Sequence, residues 1–153
     1  MANTYSKIYI HCVFAVKFRE SLIQTEWEDK LHSVIGNLIN ESGGKSILVN
    51  GVEDHVHCFF MGKPSVSISE MMKITKAKSS KWINDQGFLM HRFEWQKGFA
   101  CFSYGQSQRN HVYEYIKNQK EHHNKMSFRD EYIQLLRAFD IDFEEAYIFN
   151  KPE

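Results

Sequence analysis

Two histidines separated by one residue, His55 and His57, stand in the run Val52-Glu53-Asp54-His55-Val56-His57-Cys58-Phe59-Phe60-Met61. The apolar and aromatic residues after a polar turn read as a β-strand. Side chains alternate faces along a strand, so the two imidazoles point the same way and stand side by side. Two neutral imidazoles on a rigid platform make half of a metal site. Taken alone, such a pair is more often polar decoration of a solvated sheet face. A further ligand and a reacting group must come from elsewhere in the chain.

They have candidates. Val112, Tyr115, Ile116 and Gln119 follow the i, i+3, i+4, i+7 spacing of one helix face. A glutamine in such a stripe needs hydrogen-bond partners if it is buried. If this face covers the His55/His57 side of the sheet, the Gln119 amide oxygen can complete a three-ligand site, with the Tyr115 phenol one turn away. Two imidazoles and an amide leave a divalent ion its full charge and open positions, which suits Mg²⁺ or Mn²⁺ holding a phosphate oxygen. A tyrosine oxygen beside that phosphate can attack in line and form a phosphotyrosine. A phenol has a pKa near ~10 and needs activation. Tyr113 is the nearest rival nucleophile but has no glutamine four residues on. His111, His122 and His123 lie near in sequence, and Glu53 or Asp54 could stand in as ligands.

The elements that must hold these groups are legible as patterns. Residues 5–18 alternate as a long strand, with Ile8, Ile10, Cys12, Phe14 and Val16 on one face and Tyr9, His11, Val13, Ala15 and Lys17 on the other. Thr25, with Glu28 three residues on, has the form of a capping box, and Trp27, Leu31, Val34, Ile35 and Leu38 make a helical stripe that Gly43-Gly44 stops. Residues 46–52 form a second strand, turned back through Glu53-Asp54 into the histidine strand. Ser67 and Glu70 open another helix, with Ile68, Met71, Met72, Thr75, Ser79, Trp82 and Ile83 facing in. Lys73, Lys76 and Lys81 fall on its outer arc, with Lys78 at the edge; such a face is more often simply solvated. A fourth strand is expected over residues 93–103, interrupted at Lys97-Gly98. Helices follow from Ser107 to His122 and from Ser127 to Phe139. The order β-α-β-β-α-β predicts an α+β, ferredoxin-like antiparallel sheet with both crossover helices on one face, then a helix carrying Tyr115 and a short final helix.

At 153 residues, with 42% hydrophobic and 25% charged, the chain reads as one soluble domain over residues 1–153, with a core of about 5–123 and a C-terminal helix and acidic tail over 127–153. No apolar run approaches the roughly 20 residues of a membrane span, and the start is unlike a signal peptide, so a cytoplasmic protein is expected. Cys12, Cys58 and Cys101 stand far apart with no Cys-x-x-Cys pair, which argues against a zinc ribbon and for buried free thiols. The formal charge of zero conceals an asymmetry: residues 63–110 hold eight lysines and arginines against three acids, while residues 140–153 are acidic.

Taken together, these residues resemble the single-tyrosine HUH transposases of the smallest bacterial insertion sequences, including their repeat-associated relatives. The likeness is carried by Asn50-Gly51-Val52-Glu53-Asp54-His55-Val56-His57 and by Tyr115-Ile116-Lys117-Asn118-Gln119, followed by Glu121-His122-His123. It extends to Lys78-Ser79-Ser80-Lys81-Trp82-Ile83-Asn84, to Trp95-Gln96-Lys97-Gly98-Phe99 and to the first strand from His11 to Lys17. Each motif is weak singly; their order along nearly the whole chain is specific. The resemblance implies that His55, His57 and Gln119 are ligands of a divalent ion (Mg²⁺ or Mn²⁺) and that Tyr115 is the nucleophile. It implies nicking and rejoining of single-stranded DNA with hairpin or repeat ends through a 5′-phosphotyrosine, by a homodimer in which Gly105 could let the tyrosine helix swing to the partner's site. On this reading Lys73, Lys76, Lys78 and Lys81 track DNA phosphates. The alternatives are a catalytically silent or domesticated hairpin-binding protein on the same scaffold, and a ferredoxin-like small-ligand or metal-sensing domain.

Overall fold

The computed structural model describes residues 4–145. The first three residues and the last part of the acidic tail, 146–153, lie outside them. The strand β1 (Ile8–Ala15) is central, flanked by β3 (His55–Gly62) and β4 (Ala100–Tyr104), with β2 (Lys45–Val52) beyond β3. All neighbours are antiparallel and the order is β2-β3-β1-β4, the arrangement expected of a ferredoxin-like βαββαβ unit. The helices are α1 (Thr25–Glu41), α2 (Ile68–Gln86), α3 (Arg109–Lys117), α4 (Gln119–His122) and α5 (Phe128–Ala138).

Both faces of the sheet are covered, which explains why β1 carries apolar residues at nearly every position. On one face Ile10, Cys12, Phe14, Val56, Cys58 and Phe60 pack against Leu31, Ile35 and Ile39 of α1 and Met71, Met72 and Ile83 of α2. The opposite face holds Tyr9, Val13, Ala15 and Phe59. It is covered by Val112 and Ile116 of α3 and by Phe128 and Leu136 of α5. His11, His55 and His57 share this second face, so they are buried between layers. Cys12 lies opposite both Cys58 and Cys101, a row of three free thiols across three strands. Among the described residues no helix is long and apolar enough to cross a membrane.

Several elements differ from the expectation. Thr25 does not cap α1: the cap position is Gln24, with no side-chain bond, and Glu28 is turned inward to an ion pair with Lys120 at 2.8 Å. The predicted fourth strand shrinks to Ala100–Tyr104, with Trp95 making a single bridge to Val16. The intervening backbone bonds to side chains of α2 instead. Asn84 clamps Phe93 through its amide, donating to the carbonyl at 3.1 Å and accepting from the N–H at 2.7 Å. Lys76 donates to the carbonyls of Gln96 and Gly98 at 2.6 and 2.7 Å, so it leans onto this loop and is not part of a fully solvated arc. The helix expected from Ser107 to His122 begins with a short 3-10 turn at Gln106–Gln108 and breaks at Asn118. By contrast, Ser67 caps α2 and Ser127 caps α5, each accepting from the N–H three residues on.

Candidate active site

The β2–β3 hairpin delivers the two histidines. Its tight turn needs Gly51: a Cβ there would lie 2.2 Å from the His55 carbonyl oxygen, so only glycine lets the strands close. His55 and His57 are both fully buried. Each has its outer ring nitrogen tied down. His55 Nδ1 is 2.7 Å from the Asp54 carboxylate at the turn. His57 Nδ1 is 2.7 Å from His11 Nε2 on the neighbouring strand, and His11 Nδ1 is 3.3 Å from the Tyr104 hydroxyl. These outer contacts orient both rings and aim their Nε2 atoms into one space.

Tyr115 and Gln119 reach that space from above. Asn50, two residues from the hairpin turn, donates to the carbonyls of Ile116 and Lys117 at 2.9 and 3.1 Å. It thereby caps the end of α3 and fixes the break at Asn118. The helical course resumes at once, since the His123 N–H donates to the Gln119 carbonyl. Gln119 is fully buried, with Oε1 3.2 Å from His55 Nε2. The Tyr115 ring stands edge-on to His57 at 5.9 Å and to His122 at 4.8 Å. The four residues that could do chemistry therefore meet in one place, within one chain.

A fifth joins them that the sequence did not single out. Glu131 of α5 is 2% exposed and sits in the middle of the group. Its Oε1 lies 3.2 Å from the Nε2 atoms of both His55 and His57 and 2.9 Å from His123 Nε2. Its Oε2 accepts hydrogen bonds from the Tyr115 hydroxyl and from the Gln119 amide, the latter at 2.9 Å. A signal existed: Phe128, Tyr132 and Leu135 form an apolar stripe on α5, and Glu131 is a carboxylate set within it at i+3.

The electrostatics follow from burial and from this carboxylate. Burial alone would raise Glu131, but the bonds from His123, His55 and His57 outweigh it and hold the carboxyl well below the usual range. Burial opposes charge on His55 too, yet its bonds to Asp54 and Glu131 raise its pKa above the ordinary value. His57 and His11 are lowered, chiefly by burial. Tyr115 is raised, first by burial and then by the charge of Glu131, so the phenol at rest is protonated.

The sequence alternatives separate cleanly. Asp54 stands behind His55 and orients it, and Glu53 is exposed at the turn. His111 is exposed, and Tyr113 packs beside Val112 and Ile116. On α2, Lys73, Lys78 and Lys81 are exposed, with Lys81 paired to Asp85. Beside them runs a groove between α2 and residues 91–97, to which Lys73, Ser80, Lys81, Arg92 and Lys97 contribute. As a donor set, His55 Nε2, His57 Nε2 and a Glu131 oxygen lie within 4.8 Å of one another, and Gln119 adds an amide oxygen. Inward-facing imidazoles with tied outer nitrogens, converging with oxygen donors, fit a divalent ion.

Residues 4–119 match the family model described as "Transposase IS200 like". The chain belongs to the IS200-like transposase family. Membership places it among DNA transposases, which cleave and transfer DNA. The transposase for insertion sequence element IS200 of Salmonella typhimurium is 26% identical over 126 residues, covering 79% of this chain and 82% of that protein. The ISDra2 transposase TnpA of Deinococcus radiodurans is 21% identical over 116 residues, covering 72% and 83%. Among solved structures, a REP-associated tyrosine transposase bound to a REP hairpin shares the fold with a TM-score of 0.61 at 13% identity, over 100% of this chain and 93% of that one. The matched segment contains His55, His57, Tyr115 and Gln119, whereas α5 and Glu131 lie beyond it.

Proposed function

We propose that this IS200-like transposase nicks and rejoins single-stranded DNA through a 5′-phosphotyrosine on Tyr115. The observation that carries the reading is the convergence of the Tyr115 hydroxyl, both histidine Nε2 atoms and the Gln119 amide on one buried space from separate elements. A divalent ion, Mg²⁺ or Mn²⁺, held by His55, His57 and Gln119 would supply Lewis-acid polarisation of a phosphate oxygen. The chain supplies the rest. Asp54 and His11 hold the imidazole rings, Asn50 fixes the end of the tyrosine helix, and the covering helices exclude water from the covalent intermediate. The Tyr115 oxygen forms a bond to phosphorus as the bond to the 3′ oxygen breaks, and the freed 3′ oxygen takes up the proton that the phenol gives up. One phosphate ester replaces another, so no nucleotide cofactor is needed to reverse the step.

Hairpin or repeat DNA is the proposed substrate. The α2 groove supports this: Lys73 and Lys81 line it, Lys81 also pairing with Asp85, Lys78 is exposed on the same helix, and Arg92 and Lys97 lie opposite, while Lys76 holds the loop that forms the groove wall. A cleft lined by Ala15, Gln96, Lys97, Gly98 and Tyr132 continues from this loop toward α5. Joining one released end to a second break calls for two tyrosines, which a homodimer supplies. Each chain acts as one domain.

The test is covalent trapping. Protein incubated with single-stranded DNA carrying the hairpins that flank its own gene, plus Mn²⁺, is expected to give a denaturation-resistant adduct that Tyr115→Phe abolishes and Tyr113→Phe does not. Hairpin binding with no adduct under any divalent metal would leave a binding protein and overturn the enzymatic reading.

A further inference from the structure

Lone pairs crowd the centre of the site. Asp54 lies against His55 Nδ1 at 2.7 Å, so in the neutral form, the one that can ligate a metal, the single proton of His55 belongs on that nitrogen. Its Nε2 then turns a lone pair toward Gln119 Oε1 and toward Glu131 Oε1, each 3.2 Å away. Gln119 is committed to this orientation because its amide nitrogen donates to Glu131 Oε2. His57 brings a second ring to the same oxygen: its Nδ1 lies against His11 and its Nε2 is 3.2 Å from Glu131 Oε1. A carboxylate oxygen, an amide oxygen and the His55 lone pair facing one another in a buried space repel, and a cation among them removes that conflict.

We propose that Glu131 is itself a ligand of the divalent ion, so that α5 contributes a carboxylate to a His55/His57/Glu131 centre. This rests on the reading that the site holds such an ion and adds a residue beyond the segment that defines the family match. Neighbouring ligands on an ion with metal–oxygen and metal–nitrogen bonds of about 2.0–2.2 Å stand roughly 3 Å apart, and Glu131 Oε1 is 3.2 Å from each histidine Nε2. Glu131 then has two jobs. Oε1 faces the ion, while Oε2 holds Tyr115 and Gln119 in register with it. Two histidines and one carboxylate also favour Mn²⁺ over Mg²⁺, which prefers oxygen donors and keeps its water.

Mn²⁺ binding to the full chain without DNA tests this directly, by loss of the free-Mn²⁺ electron paramagnetic resonance signal or by calorimetry. Wild type is expected to bind one ion, and Glu131→Gln to bind it about tenfold or more weakly, with Mg²⁺ a poor competitor. Should Glu131→Gln fail to fold, Glu131→Asp keeps the charge and shortens the reach, and a similar weakening is expected. Equal or tighter Mn²⁺ binding by the variants that fold would overturn the proposal and make Glu131 an occupant that the ion displaces. Wild-type protein that binds no Mn²⁺ would overturn it together with the metal-dependent mechanism. Glu131-dependent binding with no tyrosine adduct would leave this proposal standing and remove only the cleavage reading.

Discussion

His32 shows what burial does to a histidine with no charged task. It lies on the inner side of α1 with Nε2 lacking a partner among the described residues, and burial pulls its pKa down to about 4. The unfolded chain, near the ordinary value of ~6.5, takes up a proton first as pH falls. Stability from the buried neutral ring is therefore complete above about pH 6.5, is lost as pH drops toward 4, and changes no further below it. Urea unfolding of His32→Leu should show a shallower loss between pH 6.5 and 4 than wild type, by about 3 kcal/mol at the acid end. Parallel curves for the two proteins would contradict it. His11 and His57, also lowered by burial, keep part of the slope in the variant. The site histidines were legible because His-x-His on a strand is a pair with one direction. Tyr115 and Gln119 were legible because an amide is out of place in an apolar stripe. Glu131 offered the same local signal, a carboxylate within an apolar stripe, but its place in the site depends on α5 folding back over a strand 74 residues away in sequence.

At the scale of elements, β2 does more than pair with β3. Asn50 and Gly51 are adjacent and act on different neighbours: Gly51 admits the turn that aims His55, and Asn50 caps the helix that carries Tyr115. Asn50→Ala removes two hydrogen bonds to the carbonyls ending α3, one partly buried and one exposed, and should cost about 1–3 kcal/mol in a chemical melt. Adduct formation should fall by more than that loss of folded protein explains, since the tyrosine helix loses its anchor. Adduct yield tracking the folded fraction alone would show Asn50 to be structural only. The βαββαβ order and the inward stripes of α1 and α2 could be read from periodicity because apolar spacing is a local property. The shortened β4 and the break at Asn118 could not. Both arise where side chains distant in sequence, Asn84, Lys76 and Asn50, take backbone groups that a regular element would have used.

For the whole molecule, the neutral net charge conceals an arrangement. Basic residues gather along the α2 groove on one side of the sheet, and the chemistry lies on the other side beneath α3, α4 and α5. The enclosure of the second side also sets a clock. His55, His57 and Gln119 have no exposed surface, and Glu131 has almost none. An ion among them has no open mouth and departs only when a covering helix lifts, a local opening with its own rate. Once capture outpaces reclosing, adding chelator cannot hasten release. Loss of bound Mn²⁺ to rising concentrations of EDTA should therefore approach a fixed first-order rate, whereas a rate climbing in proportion to EDTA throughout would mean that the centre exchanges freely with solvent.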